Sequence, residues 1–247
     1  MMISVNSFQM GIKLGVLTVC AGVLLIGTAA DSHAEPKVKT AASVQAGKKA
    51  APRLSTHAHA GHGHDHVDKG MATIGKMAPN FLLRDTAGNE HQLKDYAGKV
   101  VVLEWFNPDC PFVKKHHKLN KSMASSFSKA KDQEVVWLAI NSGGPGKQGN
   151  GLERNAKARE EYGIEYPILM DESGVVGKAF GAKTTPHMFI INAAGALVYA
   201  GSLDDNKSPD TVGKTNYVID ALENCVGGNA VDVSETKSYG CSVKYAS

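Results

Sequence analysis

Apolar and polar positions divide this chain into three regimes. From Leu14 to Ala30 the side chains are almost all apolar and none is charged. From Glu35 to Gly70 large apolar residues nearly vanish, replaced by Ala, Lys, Gly and His. From Met71 onward short apolar runs alternate with charged, helix-spaced stretches and with Gly, Pro and Asn breaks.

The third regime predicts the elements of a folded domain. Lys99 to Phe106 (KVVVLEWF) is continuous, apolar and rich in β-branched residues, the pattern of a strand buried on both faces. Asn107-Pro108-Asp109-Cys110-Pro111 interrupts it, and Phe112 to Ser128 then places apolar residues at helical spacing between lysines. Val135 to Ile140 reads as a second buried strand, followed by a Gly-rich loop from Asn141 to Gly151. A charged helix over Leu152–Tyr162, a short strand over Tyr166–Met170 and a short helix over Val175–Phe180 follow. Met188–Ile191 and Ala196–Tyr199 flank a turn at Asn192–Gly195, a β-hairpin and the one antiparallel pair that the pattern announces. Asn216 to Cys225 closes the series as a helix. This order predicts an α/β domain with a central mixed sheet flanked by helices on both faces.

The first two regimes read as targeting and tether. Lys13, the apolar run and Ser32-His33-Ala34 have the layout of a secretory signal peptide over 1–34, cut after Ala34. An uncleaved membrane anchor is the alternative; with cleavage, no stable span is left. Cys20 falls inside the run and is filler. Residues 35–70 hold too little apolar surface to offset their ordering entropy and are expected to form a disordered linker. Within it His57, His59, His62, His64 and His66 crowd into HAHAGHGHDH, beside Asp65. Imidazoles at this density can hold Zn, Cu or Ni, although a solvated tether explains them equally well. The domain then spans 71–228, with a C-terminal tail over 229–247.

Composition adds exclusions. The chain carries 27 basic and 24 acidic residues, a net charge of +3, too mild for a nucleic-acid or membrane-surface binder. Four cysteines make neither a disulfide scaffold nor paired CxxC clusters. In an exported chain three cysteines remain, in a compartment where disulfides persist.

Cys110 stands where a buried strand ends and a helix begins, a place that favours a thiolate, with Pro111 suited to the first helical turn. Lys114, Lys115, His116, His117 and Lys118 add positive charge nearby and Asp109 opposes it. Cys225 and Cys241 leave two arrangements open. One is a structural bridge between them that leaves Cys110 free. The other has Cys241 reaching Cys110 through space as a resolving thiol. Trp105 and Trp137 read as core, His187 as exposed or approaching Cys110, and Asp204-Asp205 as a turn or a metal hold.

The run VVVLEWFNPDCPF, the downstream TTPHMFI and the hairpin resemble the thioredoxin fold. Within it, Cys110-Pro111-Phe112-Val113 and the ending Gly240-Cys241-Ser242-Val243-Lys244-Tyr245 are similar to a peroxiredoxin-like group of the redoxin (alkyl hydroperoxide reductase/TSA-like) branch, over Ile74 to Tyr245. The resemblance implies that Thr185-Pro186 is a cis-proline loop beside the active cysteine, presenting backbone to an incoming polypeptide. It makes Cys110, Thr185 and Pro186 the catalytic residues. Val113 replaces the second cysteine of C-x-x-C, so the local release route is missing. Leu103 and Asn107 stand where a peroxidase carries Pro and Thr, and no arginine lies near Thr184–Met188. The expected function is an exported thiol–disulfide oxidoreductase needing no cofactor, with a protein thiol, disulfide or reductase as partner. A slow peroxide-handling protein and a metal-delivery module acting through the His tract are the alternatives.

Overall fold

The computed structural model describes residues 65–247. In chain order its strands and helices are β1 (His66–Val67), β2 (Phe81–Asp85), β3 (Glu90–Gln92), β4 (Val101–Trp105), α1 (Pro111–Lys114), α2 (Ser122–Lys131), β5 (Val136–Asn141), α3 (Leu152–Tyr162), β6 (Ile168–Met170), α4 (Val175–Phe180), β7 (Thr184–Thr185), β8 (His187–Ile191), β9 (Leu197–Gly201), α5 (Tyr217–Val226) and β10 (Cys241–Ser242). Seven strands run in the order β1-β2-β6-β5-β4-β8-β9, with β3 added beside β2. Strands β4, β5 and β6 are parallel, whereas β8 lies antiparallel to β4.

The strand expected over Lys99–Phe106 is the centre of this sheet. All five residues of β4 are buried, flanked by β5 on one side and β8 on the other. Alternation sends Val102 to one face, with Met123 of α2, Ala158 of α3 and Leu222 of α5. Val101, Leu103 and Trp105 go to the other, with Val176 and Phe180 of α4. Both crossovers along β4-β5-β6 pack on the first face and the return through α4 covers the second.

The structure corrects three expectations. The helix expected over Phe112–Ser128 is broken. After α1 a π-helical turn covers Lys115–Leu119, and Lys121 takes a left-handed conformation at φ 53° before α2 starts. The cause is local: Asn120 Oδ1 accepts from Ser122 N at 3.0 Å, a side-chain turn that competes with helix continuation. The linker expected over 35–70 does not cover its last residues, because His66 and Val67 pair with Leu82 and Phe81; residues 35–64 lie outside the described residues. The hairpin is also one antiparallel pair among several, including β2 with β6 and β4 with β8. Those pairings join strands far apart in the chain, so no turn residues announce them. Among the described residues no helix is long and apolar enough to cross a membrane. The run over 14–30 and its cleavage site lie outside the described residues, as does Cys20.

Candidate active site

The loop leaving β4 aims Cys110 by hydrogen bonds of its own residues. Asn107 Oδ1 accepts from Asp109 N at 2.8 Å, Asn107 O accepts from Cys110 N at 3.1 Å, and Asn107 Nδ2 donates to Gln148 O at 3.2 Å in the Gly-rich loop. Cys110 is then the N-cap of α1, with Pro111 in the first turn and its carbonyl accepting from Lys114 N. Asp109 does not face the cysteine alone: Arg154 of α3 grips its Oδ1 through Nε and Nη2 at 3.1 and 2.8 Å.

Thr185 and Pro186 arrive from across the sheet. The Thr185–Pro186 peptide is cis, and the Cys110 thiol donates to Thr185 O at 2.9 Å. Thr185 is buried, and its Oγ1 has no hydrogen-bond partner among the described residues. Strand β7 pairs with β10, antiparallel, with Cys241 opposite Thr185 and Ser242 opposite Thr184. This register sets Cys241 beside the residue whose carbonyl accepts the Cys110 thiol. Burial and the contact with Cys110 push the Cys241 thiol well above the usual range, so it keeps its proton in this arrangement. All three described cysteines are thiols, and Cys110 has 0% of its surface exposed.

Both arrangements open in the sequence involve Cys241, which lies on β10 opposite Thr185, while all three described cysteines are unbridged. Cys225 sits half-buried near the end of α5, its thiol pushed up by burial alone. His57, His59, His62 and His64 lie outside the described residues. His66 is exposed in β1, with Asp68 at 3.9 Å. No group of three or more His, Cys, Asp or Glu able to hold a metal occurs among the described residues.

The basic run after Cys110 is not directed at the thiol. Lys115, His116 and His117 are all buried and turn to other partners. His117 Nε2 lies 2.7 Å from Glu104 Oε1, whose second oxygen accepts from Tyr166 OH at 2.8 Å. Lys115 Nζ donates to Asn206 O at 2.6 Å and lies 3.5 Å from Asp204. His187 likewise turns away from the role considered for it: its ring packs on Phe189 at 4.4 Å and its Nδ1 accepts from Lys183 N. Trp105 and Trp137 are core. Asp204 and Asp205 do hold a turn, accepting from Gly213 N and Lys214 N.

The buried groups make acid the weak side of this fold. Burial holds His116 neutral well below its ordinary range and His187 neutral down to about 4. Burial raises Asp171 to about 6 despite bonds from Ser142 and the start of α4. Between about pH 6 and 4 the unfolded chain carries protons on both histidines, whereas the folded chain carries one on Asp171. The unfolded state is ahead by one proton. Stability is therefore expected to fall on acidification through that window by about 1.4 kcal/mol per pH unit. Urea midpoints at pH 7, 5.5 and 4.5 check the sign, and a midpoint that rises towards pH 4.5 would contradict it.

Glu104, Tyr166, Arg154 and Tyr239 are the site residues that the sequence reading missed, whereas Tyr245 was read only as part of the C-terminal motif. Glu104 had a visible signal, being the one acid in VVVLEWF. The others had none, because their partners come from distant elements.

A mixed sheet with a cysteine at the start of a helix and a cis X–Pro against its thiol is the thioredoxin-like fold. Residues 74–200 match the AhpC/TSA family, and the chain belongs to it. The thiol-disulfide oxidoreductase ResA of Geobacillus thermodenitrificans is 30% identical over 131 residues, 53% of this chain and 70% of its own length. Among solved structures, an uncharacterized conserved protein of Geobacillus kaustophilus is 30% identical with a TM-score of 0.62, covering 74% of this chain and 97% of that one. A hypothetical protein of Sinorhizobium meliloti is 28% identical with a TM-score of 0.64, covering 74% and 100%.

Proposed function

We propose that this protein is a thiol–disulfide oxidoreductase acting outside the cytoplasm, with Cys110 as nucleophile and Cys241 as resolving thiol. The observation that carries the reading is the position of Cys241, opposite Thr185, whose carbonyl accepts the Cys110 thiol. The similarity to a protein named as a thiol-disulfide oxidoreductase supports the chemistry. The apolar run ending in Ser32-His33-Ala34 supports export.

The exchange balances as follows. The Cys110 thiolate attacks one sulfur of a partner's disulfide; that bond breaks, and the other partner sulfur leaves as thiolate and takes a proton. A mixed disulfide joins Cys110 to the partner. Cys241 gives up its proton and attacks the Cys110 sulfur, and the second partner sulfur leaves. The partner's disulfide becomes two thiols and the pair Cys110–Cys241 becomes a disulfide. Run backwards, the same steps oxidise a partner dithiol. Cys241 thus supplies through space what Val113 cannot supply at the C-x-x-C position.

Treatment with oxidised glutathione, alkylation and non-reducing peptide mapping tests the pairing. The expected product is a Cys110–Cys241 disulfide with Cys225 alkylated, absent from a Cys110→Ser protein. A Cys225–Cys241 bridge with Cys110 alkylated would overturn the proposal.

A further inference from the structure

We propose that Tyr239 is a positioning residue, which holds Cys241 over Cys110 by docking its hydroxyl into a buried polar cluster on the helical turn that follows Cys110. The inference rests on the reading of Cys241 as the resolving thiol.

Three ionisable side chains converge on the Tyr239 hydroxyl. Lys115 Nζ donates to it at 3.2 Å, His116 Nε2 lies 3.1 Å away, and the hydroxyl donates to Asp204 Oδ1. Lys115 and His116 have no exposed surface and Asp204 almost none. Buried polar groups are costly unless they satisfy one another, and a satisfied set favours one arrangement over its neighbours. The remaining bonds of the set are directed away from the thiols. Lys115 reaches Asn206 O, Asp204 accepts from Gly213 N at 2.6 Å, and His116 Nδ1 lies 2.7 Å from Ser122 Oγ. The ring of Tyr239 adds an edge contact with Phe112 of α1 at 5.9 Å. The segment bearing Cys241 is thereby fastened to the element that presents Cys110.

A second tyrosine fastens the far side. Tyr245 OH donates to Ala182 O at 2.8 Å, and its ring fills a hollow where a Cβ on Gly174 or Gly177 would come within 2.7 or 2.8 Å of it. Between the two anchors, Val243 N donates to Lys183 O at 3.1 Å and Gly144 N to Lys244 O at 2.8 Å. Cys241 is bracketed. Of the two anchors, Tyr239 is the one that reaches the helix of Cys110, so it sets the distance between the sulfurs.

The test uses Tyr239→Phe in the full chain, which keeps the ring and removes the hydroxyl. Two quantities are read: the equilibrium of the Cys110–Cys241 disulfide with the glutathione couple, and the rate at which iodoacetamide alkylates Cys110 in the reduced protein. The expected result is a disulfide about tenfold less stable, a potential about 30 mV more oxidising, with Cys110 alkylated several-fold faster. His116→Gln, which keeps the hydroxyl but drops one partner, should shift the potential the same way by less. A residue that merely stabilised the fold would lower the melting temperature of both variants and leave the potential and the alkylation rate unchanged; that result would overturn the inference while leaving the proposed function intact. A wild-type protein that forms no Cys110–Cys241 disulfide removes the proposed function itself.

Discussion

The Gly240→Ala protein should fold and yet lose the contact between Cys110 and Cys241. Gly240 has φ 136°, a conformation that a residue with a Cβ rarely adopts. A Cβ there would stand 2.2 Å from Thr185 O and 2.9 Å from Thr185 C. The obstacle is backbone, and it is the same carbonyl that accepts the Cys110 thiol, so it cannot swing aside as a flexible side chain would. The core clusters of the sheet contain no part of Gly240, so the domain should keep its cooperative unfolding. A displacement of about 1 Å at a reacting pair can cost about a hundredfold in rate. Quenched alkylation during oxidation by glutathione disulfide should therefore show closure of the Cys110–Cys241 bond slowed by about a hundredfold, with the mixed disulfide at Cys110 accumulating. Closure at the wild-type rate would mean that the tail docks some other way.

Removing the carboxylate of Glu104 should have the largest effect on stability. Glu104 is the fourth of the five residues of β4 and has no exposed surface, held between His117 Nε2 and Tyr166 OH. Its face of the strand is the one that carries Cys110 and α2 in the same cluster as Val102. Glu104→Ala leaves two buried polar groups unpartnered and a void between them. Deleting one member of a buried pair typically costs about 3–5 kcal/mol. For a domain of this size that is a fall of roughly 10 °C in melting temperature, measurable by calorimetry. Glu104→Gln keeps one acceptor and should lose less. If Ala and Gln melt together near the wild-type temperature, the triad contributes nothing.

How much of this was legible depended on the distance between partners. The strand over Lys99–Phe106, the helices over Leu152–Tyr162 and Val175–Phe180 and the hairpin were readable, because local periodicity and turn residues encode them. The place of Cys110 between a strand and a helix was readable through its immediate neighbours, whereas the cis Thr185–Pro186 peptide was implied only by the resemblance. The basic run Lys114–Lys118 misled: spacing placed its charge near Cys110, but Lys115, His116 and His117 have nearer partners in Asp204, Tyr239 and Glu104. The position of Cys241 opposite Thr185 was undecidable for the same reason. Whether a thiol far along the chain meets α5 or α1 depends on packing between Tyr239 and residues more than a hundred positions earlier, which no local pattern carries.

The strand order also fixes when, during synthesis, the site comes into being. A chain made from its N-terminus completes β4, β5, β6, β8 and β9 before residue 239 exists. Through that interval the nascent domain holds Cys110 with neither Tyr239 nor Cys241 in place. Cys110 therefore emerges well ahead of the two side chains grouped around it in the finished site, and Cys225, which also precedes residue 239, is the other described thiol present in that interval.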